Sequence, residues 1–236
     1  MKSYLILDTE TTNNFASPLV YDMGYIVCNK RGRILKRESL IIAEVFLNKK
    51  LMQFAFYANK IPQYIEKLSR GESRLVTLAE AKAEIQFVIE KWHIEQVCAY
   101  NAGFDTNALR TTIRYITKSE EREFFPSNVE VWCIWHIACQ LLCNNSKYYN
   151  FCHKNGFVSA KGNIQTSAEI VHRFLTNDFD FIESHTGLED AEIETKILLQ
   201  CMKNKRFKEI KKGIHRMCWK IPQRNFPKPL DKSEKV

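Results

Sequence analysis

Residues 4–14 read YLILDTETTNN, and this run constrains the fold more than any other stretch of the chain. Tyr4 to Leu7 have the character of a buried strand, and they lead directly into Asp8 and Glu10 with only Thr9 between them. Side chains alternate faces along a strand, so residues i and i+2 point the same way. Two carboxylates side by side at the end of a buried strand repel each other and resist leaving water. A divalent cation between them is the usual remedy. The alternative is a solvated strand end followed by a Thr/Asn turn, and the rest of the chain has to decide.

The sequence order suggests where such a strand would sit. Residues 3–8 read as a first strand, 19–29 as a second and 33–42 as a third, the last two joined by the turn signature NKRG. Three consecutive strands suggest an antiparallel meander. The period then changes: Thr77 and Glu80 stand at capping-box spacing ahead of Ile85, Val88, Ile89 and Trp92 on one helical face. A short strand at 96–100, a helix from about 105 to 116, a strand at 129–134 and the helix WHIACQLLC follow. Thr166 and Glu169 offer a second capping box, and a last helix runs over about 188–202. The order βββ-α-β-α-β-α-α-α implies an α/β fold, a mixed sheet with helices on its faces. Residues 44–74 interrupt this order as an insertion rich in Phe, Tyr and Lys. It suits a helical flap over a nucleic-acid groove or helices packing their aromatics on the sheet.

Two more segments place acids at element boundaries. In AYNAGFDTNAL, Asn101 and Gly103 shape a turn and Asp105 falls at the start of a helix, where an acid also serves as a cap or dipole partner. In ESHTGLEDAEIETKILL, counting back three residues from Ile193 puts Asp190 on the buried stripe of the last helix, while Glu189, Glu192 and Lys196 take other faces. His185 stands five residues earlier in a Gly-containing loop. Four carboxylates, Asp8, Glu10, Asp105 and Asp190, are what a two-metal phosphoryl-transfer site demands, with ions roughly 3.5–4 Å apart. His185 suits the general base, because an unperturbed imidazole pKa of about 6.5 favours proton removal near neutral pH.

Charge points to the same class of substrate. The chain of 236 residues carries a formal net charge of +8, and residues 203–236 hold 12 Lys/Arg against 3 Asp/Glu, leaving the remainder at −1. A basic C-terminal extension of this kind suits contact with a polyanion, most often nucleic acid, or serves as a solubilising tail. The eight cysteines show spacings that match no familiar zinc pattern, and free thiols fit an intracellular, reducing, cytoplasmic setting. The N-terminus lacks a charged-then-apolar signal pattern, and no stretch approaches the ~18 apolar residues of a membrane span, so no membrane association is expected.

At these positions the chain resembles the DEDDh 3′→5′ exonucleases of the ribonuclease H-like fold. That family includes the proofreading subunit of the bacterial replicative polymerase, RNase T and oligoribonuclease. LDTET at 7–11 is similar to the family's first motif, YNAGFD at 100–105 to its second, and HTGLED at 185–190 to its His-x4-Asp third. The resemblance spans residues 3 to about 202. It implies a mixed five-stranded sheet flanked by helices, an exonuclease domain over 1–202 containing the 44–74 insertion, and an extension over 203–236. It implies two divalent cations, Mg²⁺ or Mn²⁺, one held by Asp8, Glu10 and Asp190 and the other by Asp8 and Asp105, with His185 deprotonating water. It makes Thr9, Thr11 and Thr12 candidates for holding the terminal nucleotide, Asn101 for the scissile phosphate and Phe15 for a wedge against the terminal base. Asn13-Asn14 departs from the pair the family usually carries after the threonines.

The expected activity is removal of nucleotides from single-stranded or frayed DNA 3′ ends, by a stand-alone, phage-like enzyme at work in a bacterial host. Its rivals are a 3′→5′ exoribonuclease of the oligoribonuclease or RNase T type, and a nucleic-acid-binding module without catalysis on the same fold. A further expectation is a polymerase or other replication partner bound through 203–236, where Met217, Trp219, Ile221 and Phe226 stand among the basic residues.

Overall fold

A computed structural model describes residues 2–12 and 17–222. The strands are β1 (Ser3–Thr12), β2 (Leu19–Asn29), β3 (Ile34–Ile42), β4 (Arg74–Val76), β5 (Gln96–Ala99) and β6 (Glu130–Cys133). Among the described residues the helices are α1 (Ala43–Phe46), α2 (Lys49–Met52), α3 (Ile61–Ser69), α4 (Leu78–Lys91), α5 (Ala102–Thr117), α6 (Ile134–Leu141), α7 (Ser146–Lys154), α8 (Ala168–Thr176) and α9 (Gly187–Met202). The strands form one mixed sheet in the order β4-β3-β2-β1-β5-β6. β1, β2 and β3 make the expected antiparallel meander, while β5 runs parallel to β1 and β6 parallel to β5.

The sheet has six strands where five were expected. The additional one, β4, is three residues beginning at the last residue of the insertion, paired parallel to the end of β3. Three residues are too short for a period-2 pattern to register, and only pairing with β3 makes Arg74–Val76 a strand.

Alternation along β1 divides the core. Leu5 and Leu7 face α4 and α5 with Ile85, Val88, Leu109 and Ile113. Tyr4 and Ile6 face the other side, with α6, α8 and α9 and residues such as Ile137, Val171 and Ile197. By the same parity Asp8 and Glu10 lie on the α9 side of the sheet, and Thr9 lies on the α5 side. The β1–β2 register shifts between Glu10 and Thr11, where Tyr21 is the extra residue on β2, so the ladder is interrupted where the acids end.

The helix starts follow their local chemistry. Thr77 caps α4 with the full reciprocal box to Glu80. The second expected box is displaced by one residue: Ser167, not Thr166, caps α8, and Glu169 turns instead to accept from the Glu183 amide and to pair with Arg173. Thr166 is occupied elsewhere, its carbonyl and hydroxyl accepting from Tyr100 and Trp135.

The insertion divides its aromatics between both expected fates. Phe46 and Tyr64 pack inward, with Tyr64 edge-on to Tyr21 at 5.5 Å. Phe56 and Tyr57 line the cavity described below. The C-terminal extension, as far as Pro222, lies against the body: Phe207, Ile210 and Ile221 pack on the α9-side core, and the Cys133 amide donates to the Lys212 carbonyl at 2.7 Å. All eight cysteines are free and buried. No helix among the described residues is long and apolar enough to cross a membrane.

Candidate active site

The end of β1 opens into a cavity of about 430 Å³ lined by Asp8, Thr9, Glu10, Thr11, Asn101, His185 and Asp190, together with Glu183 and Glu194. Aromatic rings of Phe56, Tyr57, Tyr100, Phe104 and Trp135 complete the wall, and no lysine or arginine is among its lining residues.

The approach of α9 to β1 depends on two glycines. Gly24 of β2 stands opposite Asp8, and a Cβ there would lie 1.9 Å from the Leu188 amide nitrogen. A Cβ on Gly187 would lie 2.6 Å from the Gly24 nitrogen. Backbone therefore meets backbone, and the first turn of α9 sits directly on the strand that pairs with β1. Asp22 locks this contact: its Oδ2 accepts from the Gly187 amide and from the Tyr64 hydroxyl, each at 2.8 Å. Burial pushes the Asp22 carboxyl up to about 6, and these two donors limit the rise. Asp22 thus ties β2, the insertion helix α3 and the start of α9 together behind the site.

With α9 placed so, Glu10, His185 and Asp190 each offer a donor atom within 4.8 Å of the other two. The Ser184 hydroxyl donates to Asp190 at 3.3 Å. His185 adopts φ +52°, a left-handed conformation uncommon for a residue with a side chain, and its ring stacks on Tyr57 at 4.2 Å and 8° between planes. Burial under this cover lowers the imidazole pKa, which favours the neutral ring.

Asp105 approaches from the opposite face of the sheet. It occupies the first turn of α5 and is buried, and the Thr9 hydroxyl donates to its Oδ1 at 2.8 Å. Burial raises it to about 7, opposed by that hydrogen bond. Asn101 initiates α5 with φ +66°, and its Oδ1 accepts the Cys218 thiol at 3.6 Å. Thr11 lines the cavity, and its carbonyl accepts from the Phe56 amide at 3.3 Å. Thr12 is not among the lining residues, because its hydroxyl is turned into the insertion and donates to the Leu51 carbonyl. Phe15 lies outside the described residues.

Glu194 was not anticipated. It lies one turn beyond Asp190 on α9, is 2% exposed, and its Oε2 has no partner among the described residues. The signal was present, since 190, 194 and 198 lie on one helical stripe at i, i+4 spacing. Glu183 and Tyr57 carried no such signal, coming from a loop and an irregular insertion.

The carboxylates share one electrostatic condition. Burial, then Glu194 and the other acids, holds Asp8 well above the usual carboxylate range. Burial, then Asp190, pushes Glu10 to about 9, and burial, then Glu183, pushes Asp190 to about 8. Ionising this many acids in one partly desolvated cavity requires positive charge that its lining side chains do not supply. Hard oxygen donors beside one imidazole, with an unpartnered Glu194 oxygen, fit Mg²⁺ or Mn²⁺.

No protein-family model and no curated protein sequence matches the chain. Solved structures do match. The chain is similar to Escherichia coli Exonuclease I in complex with a dA16 oligonucleotide, with a TM-score of 0.54 and 13% identity over 89% of this chain and 42% of that one. It is similar to a full-length 3′-exonuclease, with a TM-score of 0.54 and 13% identity over 86% of this chain and 82% of that one. It is also similar to cell-death related nuclease 4 (CRN-4), with a TM-score of 0.52 and 13% identity over 86% and 64%. The chain thus spans less than half the length of Exonuclease I. The likeness at these identities is one of fold: the chain has the ribonuclease H-like α/β fold on which these exonucleases are built.

Proposed function

We propose that the protein is a metal-dependent 3′→5′ exonuclease of the DEDDh type, removing nucleotides from single-stranded or frayed DNA ends. The observation that carries this reading is the convergence of Asp8 and Glu10 from β1, His185 from the loop before α9 and Asp190 from its first turn at one aromatic-walled cavity, with Asp105 of α5 buried behind its wall on the Thr9 hydroxyl. Divalent cations bound there would supply charge neutralisation and an activated water. Asp8, Glu10 and Asp190 would hold one ion, and Asp8 and Asp105 the other. His185, neutral and braced by Tyr57, takes the proton of the attacking water at an imidazole nitrogen. Thr9 orients the Asp105 carboxylate. Thr11, with Phe104 and Phe56 beside it, holds the terminal nucleotide, and Asn101 lies toward the scissile phosphate. Exonuclease I has been crystallised with single-stranded oligonucleotides, which supports a single strand as the substrate.

On this reading residues 1–202 are the exonuclease domain and 203–236 its basic extension. Docking of that extension on a polymerase has less to recommend it, because Cys218 and Ile221 are used in packing against the chain's own body.

A time course on single-stranded DNA and RNA labelled at the 5′ end, with Mg²⁺, Mn²⁺ or EDTA and an Asp8→Ala control, tests the proposal. A ladder shortening from the 3′ end, dependent on metal and lost in Asp8→Ala, is expected. Faster loss of RNA would make it an exoribonuclease. Intact strands that remain bound would make it a binding module.

A further inference from the structure

The aromatic wall of the carboxylate cavity does not stop at its rim. Trp135 of α6 lines the cavity, and its ring is fixed by donation from Nε1 to the Thr166 hydroxyl at 2.8 Å. Tyr100 stacks on it at 5.6 Å and 18°, and Trp219 lies tilted against it with its centroid 6.0 Å away. Trp219 in turn lines a second cavity of about 760 Å³ with Asn163, Gln165, Thr166, Ser167 and Lys220. Ser167 lines both cavities and Trp135 of the first contacts Trp219 of the second, so the two adjoin.

The segment that presents Trp219 is held in place along its length. The Lys212 carbonyl accepts from the Cys133 amide at 2.7 Å, and His215 stacks on His136 at 3.7 Å. Cys218 is buried against Asn101, and Ile221 packs on the α9-side core. Between these anchors Trp219 stays 52% exposed, and Arg216 and Lys220 are exposed on either side of it. A half-exposed indole on a pinned basic segment forgoes burial that a core position would provide. Its flat face, the amides of Asn163 and Gln165 and a nearby ammonium are the chemistry that receives a nucleobase and its phosphate.

Adjacency to the carboxylate cavity points to the occupant. A strand whose 3′-terminal nucleotide is cleaved there must carry its preceding nucleotides out of the cavity. We propose that the groove formed by Trp135, Trp219, Asn163, Gln165 and Lys220 is a second subsite of the substrate strand, holding the nucleotides just upstream of the terminal one by stacking. This inference rests on the exonuclease reading for the direction of the strand. The C-terminal extension then acts as a shaped part of the binding surface, and its charge is only one component of its contact with nucleic acid.

The test measures binding without turnover. Full-length Asp8→Asn protein is titrated in Mg²⁺ into 5′-fluorescein DNA and RNA oligonucleotides of graded length, read by anisotropy, with and without Trp219→Ala. Affinity should rise with length, and Trp219→Ala should cost about ten-fold on an octamer, equivalent to about 1.4 kcal/mol, against less than about two-fold on a dinucleotide. Trp219→Phe should restore most of the octamer affinity, and Lys220→Ala should lower the salt slope by about one. Thermal melts check that each variant is folded. Equal effects of Trp219→Ala on both lengths, or none on either, would overturn the proposal and leave the groove to some other occupant, such as a protein. The DNA and RNA arms show which strand gains more from Trp219. If the wild type cleaves nothing yet binds long strands through Trp219, the catalytic reading fails while the groove stands; cleavage with no Trp219-dependent length effect is the reverse.

Discussion

Gly24→Ala tests whether the carboxylate cavity depends on the close seating of α9. The new methyl carbon would lie 1.9 Å from the Leu188 nitrogen and 2.0 Å from the Gly187 carbonyl carbon, where ordinary contact begins at 3.4 Å. Both opposing atoms are backbone, so no side chain can rotate aside and the start of α9 must retreat by about 1.5 Å. That retreat stretches the 2.8 Å bond from the Gly187 amide to Asp22 past hydrogen-bonding length and carries Asp190 away from Glu10. Overpacking costs about 1–3 kcal/mol, and a weakened hydrogen bond to a buried carboxylate adds about 1.5–3 kcal/mol. Together they should lower the melting temperature by on the order of 10 °C for a chain this long. Displacing Asp190, a carboxylate of the proposed metal site, by more than an ångström should also reduce the rate on a 5′-labelled oligonucleotide by at least about 10²-fold. Thermal melts and single-strand degradation in Mg²⁺ measure the two effects. A variant that melts within about 2 °C of wild type and degrades DNA at an unchanged rate would refute the backbone-on-backbone contact and the role given to it.

Three further outcomes follow from the electrostatics. Because burial raises Glu10, Asp190 and Asp105 in the folded state, the folded protein binds more protons than the unfolded chain between their ordinary values and about 9. In EDTA its stability should therefore fall as pH rises from about 4 to 9, and saturating Mg²⁺ should flatten that slope in denaturant melts; a metal-free protein that gains stability over this range would contradict the cluster. Glu194→Gln removes the acid that most perturbs Asp8 after burial; because burial also raises Glu194 itself, the metal-free melting temperature should rise by about 2–4 °C per kcal/mol relieved toward the alkaline end of that range, and the gain produced by Mn²⁺ should shrink. An unchanged metal-free melt with a full Mn²⁺ gain would separate Glu194 from the site. Tyr57→Ala uncovers His185, whose pKa burial holds down, so the acid limb of kcat/KM should move to higher pH. A limb that stays in place would mean that the stack does not set the base.

The sequence carried much of this organisation because its signals are local. Alternation along Tyr4–Glu10 identified a core strand whose last two same-face residues are acids, and the β2 range of 19–29 matches the strand Leu19–Asn29. Stripe counting placed Asp190 on the buried face of α9, where it lies. The same counting reaches Glu194, but an acid at that position looks ordinary until burial shows that water does not reach it. Local signals fail where long-range contacts compete: Thr166 matched a capping box, yet Tyr100 and Trp135 engage it and Ser167 caps α8 instead.

Residue order and spacing therefore determined the α/β class, the meander and the acids that stand at element boundaries. Whether those acids meet was decided by the tertiary structure. β1 lies between β2 and β5 in the sheet, and Gly24 and Gly187 let α9 come down on it, so Asp190 arrives beside Glu10. The partition of the insertion's aromatics and the pinning of Trp219 beside Trp135 belong to the tertiary structure as well. Spacing along a chain sets which face a residue takes on its own element, but the distance between faces of different elements depends on how closely their backbones can pack.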